Sequence, residues 1–257
     1  MQFGVCGGVE MAAAARAGGY AYLEGSVGGV LKPLDPEAAF EAALAALRAA
    51  PLPCPALNSF VPGSLKIVGP TADPAALEAY VTTVFGRAKR AGVSVIVFGS
   101  SGARNVPDGW DRQQAWEQLV AFGRMCAPRA AAQGVTLAIE PLNRRESNIL
   151  NTVAEGAELA RAVNHPAMRL LADAYHWLLD DNCAGDIVAN SRLLAHVHVA
   201  TAPSRLPPGA EPCEGLAGFF RALQQAGYDG RVSFEGKMPD PAAQLPAALK
   251  ILRELAS

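Results

Sequence analysis

The sequence predicts an α/β chain closed into a single (β/α)8 TIM barrel, on three observations. Eight short apolar, β-rich runs alternate with longer segments whose apolar residues recur at spacings of three and four. The runs VIVF, LAI, LLA and VSF lack polar alternation, as strands buried on both faces should. Finally, Glu140, Asp173, His198 and Glu235 end successive runs at intervals of 33, 25 and 37 residues, about one strand plus one helix each.

The elements follow in order. Gln2 to Cys6 is the first strand, and Tyr20 to Leu23 the second, ending just before the carboxylate of Glu24. A helix over Pro36 to Ala49 takes Pro36 in its first turn and Asp35 as N-cap. The third strand, Ala56 to Val61, precedes a helix over Pro74 to Ala91, capped by Asp73 and closed by Gly92. Val93 to Phe98 is the fourth strand. The following FGSSGAR, Phe98 to Arg104, reads as a tight Gly-Ser turn, with a cradle for a hydroxyl or phosphate as the alternative. A helix over Arg112 to Ala132 leads to strands at Val135 to Ile139, Arg169 to Ala172 and Ala195 to Val199. The stiff TAPSRLPPGAEP, Thr201 to Pro212, either borders a site or merely connects. A helix over Leu216 to Ala226 and a strand over Arg231 to Phe234 complete the alternation. The expected organisation is one domain, residues 1–257.

Composition narrows the function. Net charge is −2 with both signs interspersed, so no positive stripe is available to neutralise a phosphate backbone, and nucleic acid is not the expected partner. Five widely spaced cysteines without a C-x-x-C pair argue against a disulfide framework or a thiolate zinc site and for a reducing cytoplasm. The start, MQFGVCGGVEMAAAARAGG, carries no basic leader, and no run of about 18 uncharged apolar residues occurs, so secretion and membrane insertion are both disfavoured. Neither a G-x-x-x-x-G-K-[ST] loop nor a G-x-S-x-G elbow is present, which removes support for nucleotide phosphate chemistry and acyl transfer. A small molecule, a sugar, polyol or keto acid, fits as the partner; Ala- and Leu-rich surface helices permit a homo-oligomer without requiring one.

A parallel barrel delivers the last residue of each strand to one rim. Glu140, Asp173, His198 and Glu235 are therefore expected to converge as metal ligands, because three carboxylates meeting without a cation would repel one another. The oxygen-rich set favours Mn²⁺, with Mg²⁺, Co²⁺ and Zn²⁺ also accommodated. His196, two residues before His198 on the same face, is expected deeper in the barrel as a hydrogen-bonded core residue. His176 either donates to a substrate oxygen at the mouth or is an orienting surface histidine. His165, before Pro166, reads as structural or solvated. Glu24 is expected to bind a hydroxyl or a neighbouring Arg rather than the metal.

At these residues the chain resembles the sugar isomerase and epimerase family of xylose isomerase-like barrels, which includes ketose 3-epimerases and hydroxypyruvate isomerases. EPLNRRES is similar to the family's EPxN segment, DAYH to its D-x-x-H, HVHVA to the segment with the metal histidine, and SFEGK to that with the last metal-binding Glu. The resemblance implies that Glu140 and Glu235 are both metal ligands and catalytic acid/bases, and that Glu146, His176 and Arg205 bind substrate. Thr201 stands where the family commonly carries an acidic residue, Arg205 is spaced as in hydroxypyruvate isomerases, and Asn58 lies in the half that shapes specificity. The implied reaction is proton transfer through a metal-stabilised enediolate, as in a ketose 3-epimerase. Hydroxypyruvate isomerisation and dehydration of an inosose-type keto-polyol are the alternatives. DNA repair by related endonuclease barrels would need a histidine-rich trinuclear zinc site, and a chain with four His lacks it. A non-catalytic sugar-binding barrel is the remaining reading.

Overall fold

A computed structural model describes residues 1–180 and 183–257. Among the described residues, eight strands form one closed, all-parallel barrel in sequence order. They are β1 Gln2–Cys6, β2 Tyr22–Ser26, β3 Ala56–Asn58, β4 Val95–Phe98, β5 Thr136–Ile139, β6 Met168–Asp173, β7 Leu194–Val199 and β8 Arg231–Phe234. β1 pairs with both β2 and β8, from Gln2 beside Arg231 to Val5 beside Phe234, so the sheet has no free edge.

Helices cover the outside. α1 (Ala12–Ala17), α2 (Val27–Val30) and α3 (Glu37–Ala49) are followed by α4 (Pro74–Ala91), α5 (Ser101–Arg104) and α6 (Arg112–Ala132). Then come α7 (Val153–Val163), α8 (Ala174–Leu179), α9 (Ala184–Ala189), α10 (Gly215–Gln225) and α11 (Pro241–Ala256). Local chemistry sets their starts. Asp73 Oδ1 accepts from the N–H groups of Ala75 and Ala76 at 2.9 and 3.1 Å, and Gly92 closes α4 at φ 74°. Asp111 and Thr152 cap α6 and α7 in the same way. Asp35, by contrast, is not the cap of α3. Pro36 occupies that position without a side-chain bond, and the Asp35 carbonyl instead accepts from Arg87.

Of the strand limits that differ from the sequence reading, the ends of β2 and β3 have consequences for the site. β3 stops at Asn58 rather than Val61, because Ser59 turns into the left-handed region at φ 55°. β2 runs on to Ser26, which places Glu24 inside a strand rather than at its end.

The main core lies between strands and helices, where Phe40, Phe85, Phe98, Phe219 and Phe234 are almost fully enclosed. The barrel interior is divided. On β3 to β6 it is apolar, filled by Ala56, Val95, Val97, Ala138 and Leu171. On β2, β7 and β8 it holds Tyr22, Glu24, His196, His198 and Ser233, all buried. The Tyr22 ring fits there because β1 presents Gly4, at which a Cβ would stand 2.2 Å from that ring.

Candidate metal and substrate site

The C-terminal rim gathers the four predicted ligands. Glu140 directly follows β5, Asp173 ends β6, His198 is the penultimate residue of β7 and Glu235 directly follows β8. One ligand atom from each lies within 4.8 Å of the others. His198 Nδ1 is 3.0 Å from Glu140 Oε1 and 3.4 Å from Glu235 Oε2. Asp173 uses Oδ1 to cap α8 through the Tyr175 N–H at 2.8 Å, which leaves Oδ2 buried with no hydrogen-bond partner.

Electrostatics fit this set to a hard divalent cation. Burial pushes the Glu140 carboxyl upward, against the opposing hydrogen bond from His198. Burial likewise raises Asp173, with His176 pulling the other way. Glu235 is also penalised by burial, yet His198 and Arg205 outweigh that and hold it at about 2. For His198 burial opposes charge, but Glu24 and Glu235 lift it well above the ordinary imidazole value. Three carboxylates, an orphaned buried carboxylate oxygen and an imidazole nitrogen facing them are the donor set such an ion needs. Glu140, Asp173, His198 and Glu235 could hold it.

Around them the substrate-class residues take up defined positions. His176 is buried, not on the surface. Its Nδ1 accepts the backbone N–H of Asn143 at 3.2 Å and lies 2.7 Å from the Asn143 amide nitrogen. The proton therefore belongs on Nε2, which has no hydrogen-bond partner and stands 3.5 Å from Asp173 Oδ2. Burial lowers the His176 pKa and keeps the ring neutral, with Nε2–H free to donate.

Arg205 reaches the site from the Thr201 to Pro212 loop, so that loop borders the cleft. Its guanidinium pairs with Glu235, lies 3.9 Å from Glu146 and stacks 4.6 Å from the centre of the Tyr175 ring. The loop is pinned by Thr201, whose hydroxyl bonds Glu211 and accepts the Leu206 N–H at 3.0 Å. Glu146 accepts from the Asn143 amide at 3.0 Å and is partly exposed. Glu140, Glu146, His176, Arg205 and Glu235 line a cavity of about 690 Å³.

Several partners escaped the sequence reading. Asn58 donates to Glu235 Oε1 at 2.9 Å. Asn143 organises both His176 and Glu146, and its signal was its place in EPLN. Glu24 does bind a hydroxyl, that of Ser233 at 2.6 Å, but its other partners are His196 and His198 and not an Arg. His196 is the expected core residue, and His165 is structural, accepting from the Ala167 N–H at 3.1 Å. FGSSGAR is a tying turn, with Ser100 Oγ accepting the Val61 N–H at 3.0 Å, and it also lines the cavity.

Residues 11–255 match the sequence profile of the xylose isomerase-like TIM barrel family. The chain belongs to that family. Among curated members, a D-psicose 3-epimerase of Ruminiclostridium cellulolyticum is 31% identical over 127 residues, 49% of this chain and 42% of that protein. A 3-dehydro-D-guloside 4-epimerase of Escherichia coli is 32% identical over 146 residues, 56% and 53% of the two chains. A putative hydroxypyruvate isomerase of Homo sapiens is 29% identical over 141 residues, 52% and 51% of the two. The chain spans about half the length of the curated relatives it matches. In three dimensions the likeness of fold extends over the whole chain. The crystal structure of a D-psicose 3-epimerase from Clostridium cellulolyticum with D-tagatose gives a TM-score of 0.82 at 20% identity, covering 100% of both chains. That of a D-allulose 3-epimerase from Methylomonas with D-allulose gives 0.83 at 22% identity, covering 99% and 96%. At such identity these structures speak to the fold. Among the described residues no helix is long and apolar enough to cross a membrane.

Proposed function

We propose that the chain, acting as one catalytic unit, is a divalent-metal-dependent sugar epimerase or isomerase, most similar in action to a ketose 3-epimerase. One observation carries the reading. Glu140 and Glu235 come from strands three apart around the ring, yet both place a carboxylate oxygen within 3.4 Å of His198 Nδ1 and both line the cavity. Two proton-carrying groups therefore approach one small space from different directions.

Glu140, Asp173, His198 and Glu235 would hold the metal, for which Mn²⁺ is the choice argued from the donor set. When bound, it supplies Lewis-acid stabilisation of negative charge developing on a substrate oxygen. The protein's own groups do the rest. Asn58 and Arg205 hold Glu235 ionised and aimed, fitting it to take the proton from the carbon beside the carbonyl. Glu140, on the other side, returns a proton to the opposite face, which inverts that carbon. His176 Nε2–H and the Arg205 guanidinium hold substrate oxygens, with Glu146 accepting from a hydroxyl.

The decisive experiment incubates purified, Mn²⁺-loaded protein with ketoses in D₂O and reads deuterium at the carbon beside the carbonyl. Wash-in accompanied by the epimer, abolished by chelation, is expected. A panel of ketoses, hydroxypyruvate, inososes and sugar phosphates that shows no exchange rejects the reading. Hydroxypyruvate isomerisation is the second reading, favoured by the relatives bearing that name and by a guanidinium placed to pair with a carboxylate. A small-molecule substrate and a cytoplasmic location complete the proposal.

A further inference from the structure

Beneath the four-ligand cluster His198 continues into an enclosed hydrogen-bond network. Its Nε2 lies 2.8 Å from Glu24 Oε1. The second oxygen of Glu24 lies 2.6 Å from His196 Nε2 and accepts the Ser233 hydroxyl at 2.6 Å, while the Tyr22 hydroxyl stands 2.9 Å from Ser233 Oγ. Glu24, His196, His198 and Ser233 have no exposed surface at all. Among the described residues no Arg or Lys is bonded to this carboxylate, so its burial is costly unless the hydrogen bonds it makes serve the fold or the site.

What separates those two uses is where the bonds go. Both oxygens are committed to imidazole Nε2 atoms on one strand, and one of those rings belongs to the candidate ligand. With Nε2 engaged below, His198 turns its remaining nitrogen, Nδ1, toward Glu140 and Glu235 at 3.0 and 3.4 Å. Cys6 Sγ also lies near Glu24 and His198.

We propose that Glu24 is a positioning residue of the metal centre: from inside the barrel it holds the His198 ring by its Nε2–H, fixing the orientation and tautomer that aim Nδ1 at the ion. The inference rests on the metal-centre reading above. Its structural signature is a carboxylate, a histidine and three rim carboxylates in line, assembled from β2, β7 and the ends of β5, β6 and β8.

The test uses the full chain stripped by chelation, with Mn²⁺ affinity read from the electron paramagnetic resonance of the free ion. Wild type is expected to bind one Mn²⁺, and Glu24→Gln to stay folded while binding it about 10- to 100-fold more weakly. Val81→Ala, a truncation at a fully buried core position of α4, is expected to lower thermal stability without changing affinity. Equal affinity in wild type and Glu24→Gln overturns the inference while leaving the centre intact. Wild type that binds no ion overturns both. Should Glu24→Gln fail to fold, wild type decides through the ring nitrogens observed by long-range ¹H–¹⁵N correlation with diamagnetic Mg²⁺. The expected result is a shift at His198 Nδ1 with the proton retained on Nε2. A shift at Nε2 instead refutes the assignment.

Discussion

In the proposed reaction Glu235 takes the proton, and it is held from two sides, by the Asn58 amide and the Arg205 guanidinium. Replacing its carboxylate by an amide keeps the shape and removes the base. Glu235→Gln should therefore retain the fold, by circular dichroism, while deuterium wash-in falls by roughly 10²- to 10⁴-fold. Gly99 gives a subtler test. A Cβ there would stand 2.3 Å from Glu140 Oε2, so alanine must displace that carboxylate, although no left-handed backbone forbids it. A shift of this kind at a reacting group costs about 100-fold in kcat/KM. Gly99→Ala is expected to show that loss with an almost unchanged melting temperature, and wild-type kinetics would refute a catalytic Glu140. Part of this chemistry was legible in the residues themselves: Glu140, Asp173, His198 and Glu235 share the strand-plus-helix period that sends them to one rim. The bonds of Glu24 were not, because its partners His196 and His198 lie more than 170 positions away and no local pattern couples them.

At the scale of elements, the helices with complete end signals were the readable ones. α4 and α6 run over the expected residues, since Asp73 and Asp111 satisfy first-turn N–H groups and glycines stand beyond their ends. Strand limits were harder, because pairing with neighbours rather than composition decides where a strand stops. Gly25 and Ser26 look like turn residues, yet they pair with Leu57 and Asn58 and carry β2 onward. Asp73→Ala should cost about 1 kcal/mol in urea unfolding, as one cap accepting from two N–H groups implies. Arg104 has a larger role. Fully buried in α5, it donates to the carbonyls of Phe98, Glu140 and Leu150 and so ties the ends of β4 and β5 to the loop that follows. Burial pushes its pKa down to about 10, still leaving it charged at neutral pH. Arg104→Met would strand three carbonyls, and a loss of about 3 kcal/mol or more in the unfolding free energy is expected. A loss under about 1 kcal/mol would show that the carbonyls find other donors.

For the molecule as a whole, the closed sheet joins a half that supplies the candidate ligands to a half that supplies much of their support. An ion that binds the proposed ligand set in the folded state alone would stabilise the fold. At a concentration 100 times its dissociation constant, Mn²⁺ should add about 2.7 kcal/mol of stability. For a barrel of this size that corresponds to a rise of roughly 5–10 °C in melting temperature, read by calorimetry and removed by chelator. No change across a full titration would refute binding at the folded rim. The eightfold alternation made this architecture readable from composition and period, and His196 was readable as a buried polar residue, whereas its neighbours Tyr22, Glu24 and Ser233 were hidden, because they come from segments that meet only on closure.

All four rim ligands are encoded after residue 139, and the last of them, Glu235, follows the strand that seals the barrel against β1. A ribosome-bound chain therefore exposes no complete chelating set until its final strand has emerged. If the rim binds its ion as proposed, choice among cellular metals falls to the finished protein and not to a pliant nascent chain that would take whichever ion binds nitrogen and oxygen most avidly.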